Sequence, residues 1–123
     1  MKNLTSLICA GLLIAFATVA SAAKVQHVVS FKFKSTASPA EVQKIESAFK
    51  GLKGKIKEIK ALEWGTNVSP EKLNKGFTHC WILTFNSEKD RDTYLEHPDH
   101  KEFAKLVGGV LEDVFVIDFV VQK

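Results

Sequence analysis

The stretch Phe77-Thr78-His79-Cys80-Trp81-Ile82-Leu83-Thr84-Phe85 decides the fold. Its aromatic and branched residues recur with period two, which predicts a β-strand. Phe77, His79, Trp81, Leu83 and Phe85 share one face, and Thr78, Cys80, Ile82 and Thr84 share the other. Apolar bulk on both faces predicts a central strand covered on two sides.

Upstream of it, Ser69 to Gly76 reads as a polar loop, and roughly Ile59 to Val68 as another strand. Leu62 and Trp64 fall on one face of that strand, and Gly65 marks a bulge or a close approach. Ser38-Pro39-Ala40-Glu41 carries three helix-start signals: an N-cap serine, a first-turn proline and a capping-box glutamate. Ile45, Phe49, Leu52 and Ile56 then form one apolar stripe opposite a face of Lys and Glu. Val25 to Lys34 alternates again, with Val25, His27, Val29, Phe31 and Phe33 pointing one way.

Downstream, Ser87-Glu88-Lys89-Asp90 predicts a second helix start, running through Tyr94 and Leu95 to His97. Pro98 disfavours helical geometry at His97 and lacks the N–H for an intrahelical bond, so the helix ends or kinks there. Asp99 is placed to cap a fresh start, followed by a stripe of Phe103, Leu106, Val107 and Val110. Asp113 to Val121 is the last strand, short of charge except Asp118. The order is β-α-β-β-α-β, an α+β, ferredoxin-like arrangement with a four-stranded antiparallel sheet. Phe31, Trp64 and Trp81 are more bulk than two helices are expected to hide, which predicts a second sheet packed on the first in a homodimer.

The N-terminus reads as a signal peptide over residues 1–22, leaving one domain over 23–123. Lys2 is the positive flank, Leu7 to Val19 carries no charge, and Ala20-Ser21-Ala22 fits the small-x-small cleavage pattern. The expectation is export to the periplasm or the medium, with no membrane attachment after cleavage. Loss of Cys9 leaves Cys80 as the only thiol, so no internal disulfide is expected. A net charge of +3, lowered by one with Lys2, argues against a nucleic-acid footprint.

Two of the four histidines, His27 and His79, lie inside strands; the other two flank a proline in Tyr94-Leu95-Glu96-His97-Pro98-Asp99-His100. Histidine takes and gives protons near neutral pH, so this placement suggests a lined pocket. His97 and His100, with Asp99 and Glu102 nearby, superficially resemble metal-ligand spacing. Pro98 disturbs that geometry and no cysteine cluster assists, so no metal is expected. Cys80 falls on the face opposite His79, which is poor geometry for a Cys–His nucleophile pair.

His27 with the Phe31-Lys32-Phe33-Lys34 ending, Trp64-Gly65, Phe77-Thr78-His79, Tyr94 and His97-Pro98-Asp99-His100 together resemble the stress-responsive dimeric α/β-barrel (Dabb) family. The resemblance runs from about Val25 to Val121. It implies a homodimer whose two sheets form a barrel-like core. One branch of the family is similar to plant polyketide cyclases, which close a linear polyketide by aldol condensation with a tyrosine–histidine acid–base pair. By position that implies Tyr94 and His100 as catalytic residues. It implies His27, His79 and His97 as further pocket histidines, with Phe77 as aromatic lining; Trp81, by its own bulk, is expected in the core or dimer interface or as the floor of the pocket. Phe77 stands where the plant branch commonly has tyrosine. Two functions follow as expectations: a small apolar ligand held in the barrel pocket, or a cofactor-independent lyase or cyclase.

Overall fold

Ser38 opens the first helix as its sequence dictates. Its hydroxyl accepts from the Glu41 backbone N–H at 3.1 Å, and its own N–H donates to the Glu41 carboxylate at 3.0 Å. The computed structural model describes Gly11 and residues 23–123. Apart from Gly11, the leader expected over residues 1–22 lies outside the described residues.

The elements are β1 (Val25–Phe33), α1 (Pro39–Lys55), β2 (Ala61–Thr66), β3 (His79–Phe85), α2 (Glu88–Glu96), α3 (Pro98–Gly108) and β4 (Leu111–Val120). The strands form one antiparallel sheet in the order β2-β3-β1-β4, so β3 and β1 are central. This is the ferredoxin-like α+β fold, with the second helix divided at Pro98. No helix among the described residues is long and apolar enough to cross a membrane.

Register fixes which residues share a face. His27 lies opposite Leu83 on one side and Asp118 on the other. Val25, Val29, Phe31, Trp81, Leu83 and Phe85 form the core with Ile45, Phe49 and Leu52 of α1. Burying a side chain of this size contributes about 1.5–3 kcal/mol, so this layer carries the stability of the domain.

The structure corrects several expectations. Strand three starts at His79 rather than Phe77. A turn closed by Phe77 N–H on the Asn74 carbonyl at 2.8 Å, with Asn74 Nδ2 donating back to Phe77 O at 2.9 Å, holds Phe77 outside it. Gly65 is no bulge, since β2 pairs with β3 without a register shift. The irregularity lies between Lys32 and Phe33, where β1 meets β4. Asp99 does not cap α3; His97 does, its Nδ1 accepting from Asp99 N–H at 3.1 Å.

The apolar surplus also sits elsewhere than expected. Trp81 and Phe31 are buried beneath the helices and Trp64 is half-buried. Flat stacking makes this possible: Trp81 lies 4.2 Å from Phe49 and 4.7 Å from Trp64, centroid to centroid. On the sheet, Ile82 of β3 and Phe115, Ile117 and Phe119 of β4 are left open on the face away from the helices, and Val114 and Val116 of β4 on the helix side.

Candidate active site at the α2–α3 joint

The joint between α2 and α3 is a single extended residue, His97, with φ −65° and ψ 136°. Pro98 requires that geometry of its predecessor. The turn carries Tyr94 and His100 together: their rings lie 4.6 Å apart, centroid to centroid. Tyr94 also meets Phe85 at 5.1 Å and His27 at 5.7 Å. Three of the chain's titratable rings or phenols therefore converge from β1, α2 and α3.

They line a cavity of about 790 Å³ between the helices and β4. Its walls are mostly apolar, with Val29, Phe31, Phe103 and Val116 among them. This is the size and character of a small-molecule site.

Hydrogen-bond partners decide the tautomers. His100 Nδ1 lies 3.1 Å from the Leu95 carbonyl, which only accepts. Nδ1 therefore carries the proton, and the neutral ring keeps its lone pair on Nε2. His27 Nδ1 lies 2.6 Å from Asp118 Oδ1, so it too is protonated on Nδ1. The other Asp118 oxygen accepts from Arg91 Nη1 at 2.8 Å. The result is a chain Arg91–Asp118–His27 running into the cavity beside Tyr94.

Burial is the largest influence on His100 and lowers its pKa. The Leu95 hydrogen bond opposes the shift, and the nearby His27 adds to it. Burial likewise raises the Tyr94 phenol well above its ordinary value, with the Asp118 charge adding to it. Near neutrality the pair is thus an uncharged imidazole beside a protonated phenol: a base and a hydrogen-bond donor.

The remaining residues expected at the pocket are placed elsewhere. His97 caps α3. Trp81 is fully buried in the aromatic stack. His79 donates from Nε2 to Glu46 Oε2 at 2.9 Å, and its Nδ1 accepts from Thr78 Oγ1 at 2.8 Å. His79 and Phe77 line a different cavity, of about 710 Å³, by the 67–78 loop. Of the four histidines, only His27 and His100 line the cavity at the joint.

Two polar residues of the cavity, Arg91 and Asp118, were not singled out from the sequence as site residues. A signal existed for both. Arg91 is the chain's only arginine, and Asp118 is the one charge in the apolar run Val114 to Val121. A buried acid of that kind needs a partner.

A model of the family described as Stress responsive A/B Barrel Domain matches residues 25–121. The chain belongs to this family. A stress-response A/B barrel domain-containing protein of Arabidopsis thaliana, HS1, is 38% identical over 95 residues, covering 77% of this chain and 87% of that one. Olivetolic acid cyclase of Cannabis sativa is 26% identical over 99 residues, covering 80% of this chain and 98% of the cyclase. The structure of a hydroxynitrile lyase from Passiflora edulis superposes with a TM-score of 0.78 at 29% identity, covering 83% of this chain and 96% of the lyase. The A/B barrel family thus holds relatives of this chain named for a cyclase and for a lyase.

Proposed function

We propose that the joint cavity takes a small, largely apolar carbonyl compound and performs cofactor-independent, aldol-type proton transfer on it, as a lyase or cyclase. The observation that carries this reading is the meeting of Tyr94 and His100 in one cavity, with His100 Nε2 left as the basic nitrogen. His100 Nε2 takes a proton from the carbon next to the carbonyl. The C–H electron pair moves into the enolate, and the Tyr94 hydroxyl donates to the oxygen where negative charge develops. The cyclase and lyase relatives are consistent with this chemistry.

Solvent hydrogen exchange tests it. In deuterated buffer the protein should speed exchange at the α-carbon of a small apolar ketone. His100→Ala should abolish that rate, and Tyr94→Phe should cut it by about 10²–10³, as loss of one oxyanion donor does. A rate unchanged by both substitutions sinks the reading. A second reading, ligand binding without turnover, draws on the size and apolar walls of the cavity. Binding of the ketone without any exchange would favour it.

We also infer a homodimer packed through the open sheet face. Phe115 is 55% exposed, Ile117 50% and Phe119 48%, and a lone domain seldom leaves such a contiguous patch to water. Light scattering at micromolar concentration should give twice the monomer mass, and a stable monomer would contradict it. Export follows from the leader sequence; the protein recovered outside the cytoplasm should begin at Ala23 by mass.

A further inference from the structure

Resting on the reading of the joint cavity as a ligand site, we infer that its ligand carries a hydroxyl group beside the carbonyl, received by His27 Nε2. Arg91 is the positioning residue that keeps this nitrogen an acceptor.

His27 is 5% exposed and lines the cavity. Its Nδ1 is committed to Asp118 Oδ1 at 2.6 Å, and its Nε2 has no hydrogen-bond partner among the described residues. Among those residues, the buried side-chain polar atoms closed off without a partner are Glu58 Oε2 and Trp81 Nε1. His27 Nε2 is not one of them, so it opens onto the cavity, as does the Tyr94 hydroxyl.

A plain ketone brings one acceptor. Tyr94 donates to it while the C–H beside the carbonyl faces His100 Nε2, and His27 Nε2 is then shut in with no donor. A buried acceptor left unpaired weakens binding. The His27 and Tyr94 rings lie 5.7 Å apart, so a hydroxyl close to the carbonyl on the same ligand supplies the missing donor. A site built around such a contact discriminates against the analogue that lacks it.

The acceptor depends on the charge behind it. A carboxylate 2.6 Å from an imidazole, with no counter-cation, favours the doubly protonated ring, whose Nε2 donates instead of accepting. Arg91 supplies the counter-cation: Nη1 donates to Asp118 Oδ2 at 2.8 Å, on the oxygen that His27 does not use. The guanidinium is itself held by α2, with Nε donating to Asp92 at 2.9 Å and Nη2 lying 4.0 Å from Glu88. A fork fixed in this way stays aimed at Asp118. The other titratable groups around His27 are Tyr94, which burial keeps protonated, and His100, which burial disfavours as a cation. Neither balances Asp118, so the task falls to Arg91.

Three ketones with no proton beside the carbonyl measure binding apart from turnover: phenyl tert-butyl ketone and its meta-hydroxy and meta-methoxy derivatives. Each is titrated into the full chain and followed by the ring resonances of His27 and His100. The hydroxy ketone should bind about tenfold more tightly than the other two. His27→Phe should erase that preference and His100→Ala should keep it, which separates the two lone pairs. Arg91→Gln should cut it to below about threefold at neutral pH. The preference should return as pH rises toward the phenol's own titration, and Arg91→Lys, which keeps the charge, should retain most of it.

A protein that binds all three alike, or none, overturns the proposal, as does a preference that survives His27→Phe or vanishes in His100→Ala. Arg91→Gln that leaves the preference intact, weakens all three ketones equally, or loses the preference at every pH overturns the role given to Arg91. Nitrogen resonances of the unaltered protein test it without any variant: a His27 ring protonated on both nitrogens at neutral pH overturns it. The hydroxyl preference without His100-dependent exchange on an enolisable ketone would sustain this inference and sink the catalytic reading alone. Exchange without the preference would do the reverse.

Discussion

His27 and His79 lie on the same face of the sheet, both are buried, and each is bonded to a carboxylate, at 2.6 Å from Asp118 and 2.9 Å from Glu46. Their surroundings differ. Around His79, Trp64 stacks at an interplanar angle of 7° and Phe33 packs edge-on at 5.0 Å, so aromatics fill the space at its sides while its ring borders the second cavity, by the 67–78 loop. Around His27, the neighbours Tyr94 and Phe85 stand edge-on and the helices part, so its ring borders the joint cavity. The same residue pair borders a cavity at each end of the sheet, but only at the His27 end does it stand beside a tyrosine and a second histidine. Packing around the imidazole, rather than the imidazole itself, separates the two roles.

The largest expected effect breaks the filled end. Trp81→Ala removes the centre of the stack between Phe49 and Trp64 and should cost about 3–5 kcal/mol in urea unfolding. Trp81 does not line the joint cavity, so affinity there should change little in the fraction that stays folded. A loss below about 1 kcal/mol would show that the stack is not what closes this end.

Next, Asp118→Asn should cost about 1–3 kcal/mol, because it strips Arg91 of a charge partner and disturbs the His27 bond. It should also shift the His27 ring resonances while those of His79 stay put. If His79 moves as much as His27, the two ends are not independent and the contrast fails. His97→Ala should cost about 1 kcal/mol through loss of the α3 N-cap. His100, half-buried and bonded only to the Leu95 carbonyl, caps no helix, so His100→Ala should be milder.

The smallest effect is a titration. Burial lowers the His100 pKa in the folded protein, so the folded state binds fewer protons there than the unfolded chain does. Its contribution to stability is therefore fully present above the ordinary histidine value and is lost as pH falls through the lowered folded value. The His100 ring proton should titrate with a midpoint below the ordinary 6.5. A midpoint above neutrality would mean that the ring is mostly charged there and is no base.

Much of this was legible in the residues. Period two in Val25 to Lys34 and Phe77 to Phe85, and the Ser38–Glu41 box, are local signals, and each located its element, though the third strand starts only at His79. The Tyr94–His100 neighbourhood was also legible, because the proline break is local. What the sequence hid depends on contacts distant in the chain. Asp118 meets His27 across 91 positions, and no spacing rule foresees that. His79 alternates into the same face as His27, yet that it lines the loop-side cavity and not the one at the joint depends on contacts distant in the chain. Asp99 looked the better cap because short acids usually are; His97 took the role because its extended backbone aims Nδ1 at the N–H of Asp99, the first that α3 has.

The Pro98 joint carries one more consequence, concerning rotation. On a single unbroken α-helix, residues six apart stand about 120° from one another around the axis, so Tyr94 and His100 would point in different directions. A break at His97 gives α3 an axis of its own and lets His100 turn back toward the tyrosine. Chain length at this joint therefore sets an angular phase. Deleting one residue between the two would swing His100 by about 100°, and no change of side chain at either position would undo it.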